Sequence, residues 1–531
     1  MKTFRASTAG LARIKQARKD KGWNVDNPRW LEEASAVLGV NWEAAGYLAE
    51  GISEGTWKRF LAGKRPIKAD AFKAYSQVLG LNWQEISDSE ALLQADCDSV
   101  QNWGEAPDSG VFYGRTTELA TLEQWILKAR CRLITLLGMG GIGKTALTVK
   151  FAESNQEQFQ YIIWRSLRYI PPLEDFLGEL IQVFSNQPQT VPAGVRAKLS
   201  QLIDCLRQYR CLLVLDNFES LLWEGNFQDK ISRNRTGSYL SGYEAYGEFL
   251  KRVGESQHQS AVILISREKP SEIAAIEGQS LPIRSLQITG LEAIDAREIL
   301  KAKGLSGEER WETLINLYRG NPLALNIIST TIQDLFNSNV PEFLNQNTLV
   351  ITGFTDILEQ QFNRLSSLEK QVVYWLAIHC HPVALSQLQT DIEFQVKKSQ
   401  LIEVLHSLMW RSLIEKVTEP SEVIFTIPPL VMKYVNNKFV EQVCDEIFDE
   451  NLELLRSHAL VNPQKANFKE FQLKPMLTAV KEQLTTAFRN DKRLREHLTR
   501  ILSILEDKPA LEVGYAEENL LKLLAALDSG L

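Results

Sequence analysis

The chain has 531 residues, of which 44% are hydrophobic and 24% charged, and its formal net charge is -7. That length exceeds a single core and predicts several domains of ordinary globular composition. The negative total excludes a uniformly basic nucleic-acid coat, and no apolar run reaches the ~18 residues of a membrane span. No signal peptide opens the chain, so a cytoplasmic protein without membrane contact is expected.

The charge is uneven, with 14 Lys+Arg against 9 Asp+Glu in residues 1–86. This segment reads as short helices. Ser53 is a fitting N-cap for a helix with Trp57, Phe60 and Leu61 on one face. Gly63 ends that helix, Pro66 follows in the turn, and the next helix turns Phe72, Tyr75, Val78 and Leu79 inward. The pattern resembles the helix-turn-helix of small phage-repressor-like domains. That resemblance places Lys58, Arg59, Lys64, Arg65 and Lys68 near phosphates and makes DNA contact through residues 51–68 one expectation. A protein-binding adaptor or effector role is the other. Residues 87–110 are polar and acidic and end in turn formers, as a linker would.

Residues 111–272 carry a doubly wound α/β pattern, with apolar strands near 133–137, 160–164, 211–215 and 261–265. The first strand runs into Gly138-Met139-Gly140-Gly141-Ile142-Gly143-Lys144-Thr145, a spacing of G-x-x-x-x-G-K-T. Glycines let successive N–H groups point into one concavity, and the following helix directs its positive end there. Lys144 is expected to bridge the β- and γ-phosphates and Thr145 to offer its hydroxyl to Mg2+. The nucleotide-binding set is Gly138, Gly140, Gly141, Ile142, Gly143, Lys144, Thr145 and Ala146. The strand LLVLD ends in Asp216, placed to join Thr145 as a metal ligand at the carboxyl end of a parallel sheet. Glu219 is the nearest carboxylate able to polarise an attacking water. Arg267, at the end of the next strand, has a fork suited to sensing a γ-phosphate. The candidate catalytic residues are thus Lys144, Asp216, Glu219 and Arg267.

The remainder reads as helical. Residues 273–350 form a small helical domain carrying GNPLAL, where Asn321 caps a helix and Pro322 occupies its first turn. Residues 351–440 add a strand-like passage at Val423–Ile427, and 441–531 are helical with leucine heptads. The six cysteines form no C-x-x-C pair and read as buried thiols. His379 and His381 flank Cys380 without metal-ligand spacing.

Taken in order, VFYGR (111–115), GMGGIGKT (138–145), YIIWRSL (161–167), LLVLDNFE (212–219), ILISRE (263–268) and GNPLAL (320–325) resemble the NB-ARC family of signal-transduction ATPases, of the STAND class. Bacterial members that begin with a helix-turn-helix-like segment and a WGEAPD linker (103–108) look most similar. The resemblance implies a multidomain α/β fold: a P-loop domain, then a small helical domain and a winged-helix domain over 351–440, between all-α N-terminal and C-terminal regions. It implies an ADP/ATP switch in signalling or defence, with Val111 and Arg115 bordering the nucleotide and Pro322 packing on adenine. Exchange of ADP for ATP would open the domains and assemble a homo-oligomer with an effector or trigger protein. Slow Mg2+-dependent hydrolysis would reset it. The alternative is an ATP-regulated DNA-binding transcriptional regulator. Two departures stand out. Ile427-Pro428-Pro429 occupies the place of the family's Met-His-Asp, so the ADP lock is expected to be weaker or built differently. The chain also ends without the repeats that such members usually carry, as a truncated form or one whose trigger binds the helical tail would.

Overall fold

The computed structural model describes residues 3–40, 42, 46–63, 67–87, 100–108, 110–184, 192–223, 237–346, 353–392, 396–418, 422–461, 475–506 and 508–528. The chain divides into two compact units, Met1–Val100 and Gln101–Leu531.

The N-terminal unit closes on an aromatic core. Helix Glu54–Ala62 starts at Ser53, whose side chain accepts from Thr56 N–H, and stops at Gly63 in the left-handed region (φ 62°). Trp57 stacks on Trp30 at 4.9 Å between centroids and donates Nε1–H to the Val25 carbonyl at 2.9 Å. Phe60, Phe72 and Tyr75 fill the space around it. One feature departs from the all-helical expectation: Thr3–Phe4 and Ile67–Lys68 pair as short antiparallel strands.

The second unit is built on a six-stranded sheet. Its strands are β1 (Val100–Asn102), β2 (Leu133–Leu137), β3 (Tyr161–Ser166), β4 (Cys211–Asp216), β5 (Ala261–Ser266) and β6 (Ile283–Gln287), in the order β1-β3-β4-β5-β2-β6. Strands β2 to β6 pair in parallel. β2, β4 and β5 are buried along their whole length, as expected of continuous apolar runs covered on both faces. Two edge strands lie outside the expected α/β limits of 111–272. β1 falls in the segment read as linker, and β6 in the segment read as helical. Neither is continuously apolar: Gln101 is exposed, and Arg284 and Ser285 interrupt β6.

Beyond the sheet, helices Ala293–Ala302, Trp311–Leu317 and Pro322–Leu335 pack together. The segment expected to form a winged helix comprises helix Ser367–His379, strand Val383–Ala384, helices Leu385–Asp391 and Lys398–Trp410, and the hairpin Glu415–Thr418/Val423–Thr426. Helix Ser367–His379 begins with a capping box between Ser366 and Glu369. The C-terminal helices share one apolar core with these elements, from Leu291 to Leu523. Among the described residues no helix is long and apolar enough to cross a membrane.

Candidate nucleotide-binding site

Because β5 lies between β2 and β4, the sheet sets three strand ends side by side: the phosphate loop after β2, Arg267 after β5 and Asp216 at the end of β4. A cavity of about 380 Å³ opens there, lined among others by Gly140 to Ala146, Asp216, Glu219 and Arg267. It is a small-molecule volume at the carboxyl ends of parallel strands, where such folds bind ligands.

The loop leads into helix Lys144–Ser154 through Gly143 at φ 98°. Two of its glycines are required for another reason. A Cβ on Gly140 would lie 2.5 Å from Ile357 Cγ2, and one on Gly141 2.7 Å from Leu323 Cβ. Helical elements are therefore seated directly on the loop. Asn321 does two jobs: its Oδ1 accepts from the N–H groups of Leu323 and Ala324, and its Nδ2 donates to the Gly140 carbonyl at 3.2 Å.

Lys144 is buried, and its Nζ donates to the carbonyls of Gly138 (2.8 Å) and Met139 (3.1 Å). Burial pulls its pKa down to about 8, opposed by the charges of Glu219 and Asp216. Thr145 Oγ1 lies 3.2 Å from Asp216 Oδ2. Burial, and then the charge of Glu219, push Asp216 up to about 6. A buried carboxylate ionised at a cost beside a hydroxyl is a donor pair that a hard divalent cation would relieve. Among the described residues no group of three or more His, Cys, Asp or Glu could hold a metal alone. A cation here would share its coordination with phosphate oxygens.

Glu219 is held on both oxygens, by Arg267 Nε at 3.2 Å and by the Arg267 backbone N–H at 3.2 Å. Arg115 is buried in the left-handed region (φ 62°) and donates to the Ile142 carbonyl (2.8 Å) and to Glu118 (2.7 Å). It braces the loop from behind. Val111 is 80% exposed and lines the cavity. Pro322 sits beside Gly143, while its neighbour Leu323 lines the cavity wall. Ile427-Pro428-Pro429 is not part of that lining; Pro429 opens helix Pro429–Asp449 instead.

Sequence reasoning missed the roles of Leu323, which lies within GNPLAL but was given none, and of Ile357, which belongs to no motif, together with a buried ion cluster beside Arg267. Glu268 Oε1 accepts from Arg364 Nε and Arg411 Nη1, both at 2.6 Å. Arg364 Nη2 also donates to the carbonyls of Glu219 (2.7 Å) and Leu222 (3.0 Å). Arg411 reaches Glu369 at 3.6 Å. The end of β5 is thereby tied to the residues that close helices Thr355–Asn363 and Lys398–Trp410.

The residues put forward for DNA contact are mostly engaged. Lys58 pairs with Glu54 and Asp26, Lys68 pairs with Glu50, and Arg59 Nε bonds the Gly55 carbonyl. Lys64 and Arg65 lie outside the described residues.

Residues 115–236 match the NB-ARC domain family. The chain is 44% identical, over 98% of its length, to an uncharacterized WD repeat-containing protein of Nostoc sp. strain PCC 7120, and spans 45% of that protein. Similar solved structures include a Walker-type ATPase of Pyrococcus abyssi: 16% identity, TM-score 0.44, 62% of this chain and 99% of that one. Another is a STAND protein with a tetratricopeptide repeat sensor from Pyrococcus horikoshii: 18% identity, TM-score 0.31, 81% and 60%. The α/β domain around this site is thus matched, over residues 115–236, by the NB-ARC domain family.

Proposed function

We infer that the protein is an ADP/ATP-binding molecular switch in which nucleotide exchange controls domain opening and oligomerisation. The observation that carries this reading is the seating of Asn321, Leu323 and Ile357 on the phosphate loop. Occupancy of the loop and the closed packing of the helical elements then share one set of contacts, and a ligand that favours one arrangement shifts the other.

In this reading the loop N–H groups and the positive helix end bind the phosphates. Lys144 exchanges the carbonyls of Gly138 and Met139 for phosphate oxygens. Thr145 and Asp216 would hold Mg2+, which would supply charge neutralisation to the phosphates. Arg267 is shared between Glu219 and an incoming γ-phosphate. Its departure frees Glu219 to orient a water, at the slow rate suited to a reset. Because Glu268 follows Arg267 directly and is bound to Arg364 and Arg411, movement of Arg267 is felt in the helical elements.

The test is the mass of the full chain in solution with ADP·Mg2+ and with ATP·Mg2+. A monomer with ADP and a defined larger species with ATP are expected. The same mass in both would refute the switch while leaving nucleotide binding standing.

A further inference from the structure

The amino ends of β2 to β5 gather at the sheet edge opposite the phosphate loop. There a second cavity, of about 320 Å³, is enclosed by the residues that lead into those four strands, a volume within the small-molecule range. Among the described residues two arginines line it and no carboxylate does. Arg130 stands exposed at the mouth, held in the left-handed region (φ 54°) that a side chain disfavours. Arg210 is half-buried within, its guanidinium 5.4 Å over the ring of Phe159.

The charge at this edge is unbalanced. Burial, and then the neighbouring charge of Arg130, hold the Arg210 guanidinium below its ordinary pKa, and no carboxylate offsets them. Arg210 Nε is buried without a hydrogen-bond partner among the described residues. Burial lowers the pKa of His258, another lining residue, with smaller contributions from the charges of Arg132 and Arg207 and against hydrogen bonding to the backbone of Val253 and Ser260. Arg207 itself is paired with Asp204. A buried guanidinium N–H without an acceptor is costly, and its planar fork matches an oxyanion.

We propose that this cavity is a second ligand site, which takes a small organic oxyanion. A phosphate or carboxylate group lies between Arg130 and Arg210, and the apolar body of the ligand lies against Phe159 and Ile126. The site is separate from the nucleotide cavity and shares no lining residue with it.

The probes are phenyl phosphate and inorganic phosphate, titrated calorimetrically into the full chain and into Lys144→Ala, Arg130→Gln and Arg210→Gln. Phenyl phosphate should bind the unchanged chain and Lys144→Ala alike, and at least tenfold more weakly in each arginine variant. Arg130→Gln, at the exposed mouth, keeps the test valid if Arg210→Gln folds poorly. Binding of phenyl phosphate well above that of inorganic phosphate supports an organic ligand. Equal binding of the two, still lost in the arginine variants, supports the oxyanion site and assigns it to free phosphate. No binding of either probe, or binding lost in Lys144→Ala and kept in both arginine variants, overturns the proposal.

Discussion

The two ends of the parallel sheet treat charge in opposite ways. At the carboxyl ends the charged side chains have counterparts within the chain: Lys144 on loop carbonyls, Thr145 on Asp216, Arg267 on Glu219, Glu268 Oε1 on two arginines, with Glu268 Oε2 left without a hydrogen-bond partner among the described residues. At the amino ends Arg130 and Arg210 share a recess with no carboxylate. A site whose charged groups already hold one another keeps its geometry with or without ligand, and a ligand acts on it by exchanging partners. That is the property a switch needs, because each exchange frees a group that was holding something else. An unsatisfied site has no internal partner to release and is completed only from outside.

The largest effect is expected where the carboxyl end reaches into the helical core. Glu268→Ala leaves the buried Arg411 and the partly buried Arg364 without their shared carboxylate. Removing one member of a buried ion pair costs about 3–5 kcal/mol, to be read as a loss of urea resistance. A change below ~1 kcal/mol would mean that the cluster does not hold the helical elements to β5.

Asp216 comes next and has a defined pH window. Its folded pKa of about 6 stands above the ordinary 3.8, so the folded chain takes up this proton before the unfolded one. This group's contribution therefore improves as pH falls from 6 towards 4, and it is fully unfavourable at pH 7. The penalty is about 3 kcal/mol. Asp216→Asn should flatten that stretch of the pH–stability curve, stabilise the unliganded chain at pH 7, and abolish the Mg2+ dependence of nucleotide binding. An unchanged curve would show that Asp216 is not the titrating group.

Lys144→Ala removes a charge-assisted contact to phosphate worth about 1.5–3 kcal/mol, or roughly 10- to 100-fold in nucleotide affinity. The same change should not touch the amino-end cavity, and a loss at both ends would collapse the distinction between them. The smallest effect is local. Ser366→Ala breaks the capping box of helix Ser367–His379, for about 1 kcal/mol, with nucleotide affinity unaltered when measured by titration.

What the sequence made legible follows from locality. The phosphate loop, Asp216 and Arg267 are each read from a strand and the turn that ends it, and the sheet brings all three to one cavity. The pairing of Glu219 with Arg267 joins residues 48 apart, each just beyond the end of one of two neighbouring strands, and no local pattern announces it. The Glu268 cluster spans still more of the chain, with Arg411 143 residues away. Leu323 and Ile357 look like ordinary helix-face apolar residues until the loop glycines are found beneath them. β1 and β6 were hidden because edge strands need no continuous apolar run. Pro428 and Pro429, notable as a departure from Met-His-Asp, serve locally to start helix Pro429–Asp449.

The most direct test of the central claim is the nucleotide that the purified chain carries, released by denaturation and identified by ion-exchange chromatography, alongside binding of added ADP and ATP. Stoichiometric ADP or ATP in the unchanged chain, absent from Lys144→Ala, is the predicted result. A chain that purifies empty and binds neither ADP nor ATP in the presence of Mg2+ would contradict the account.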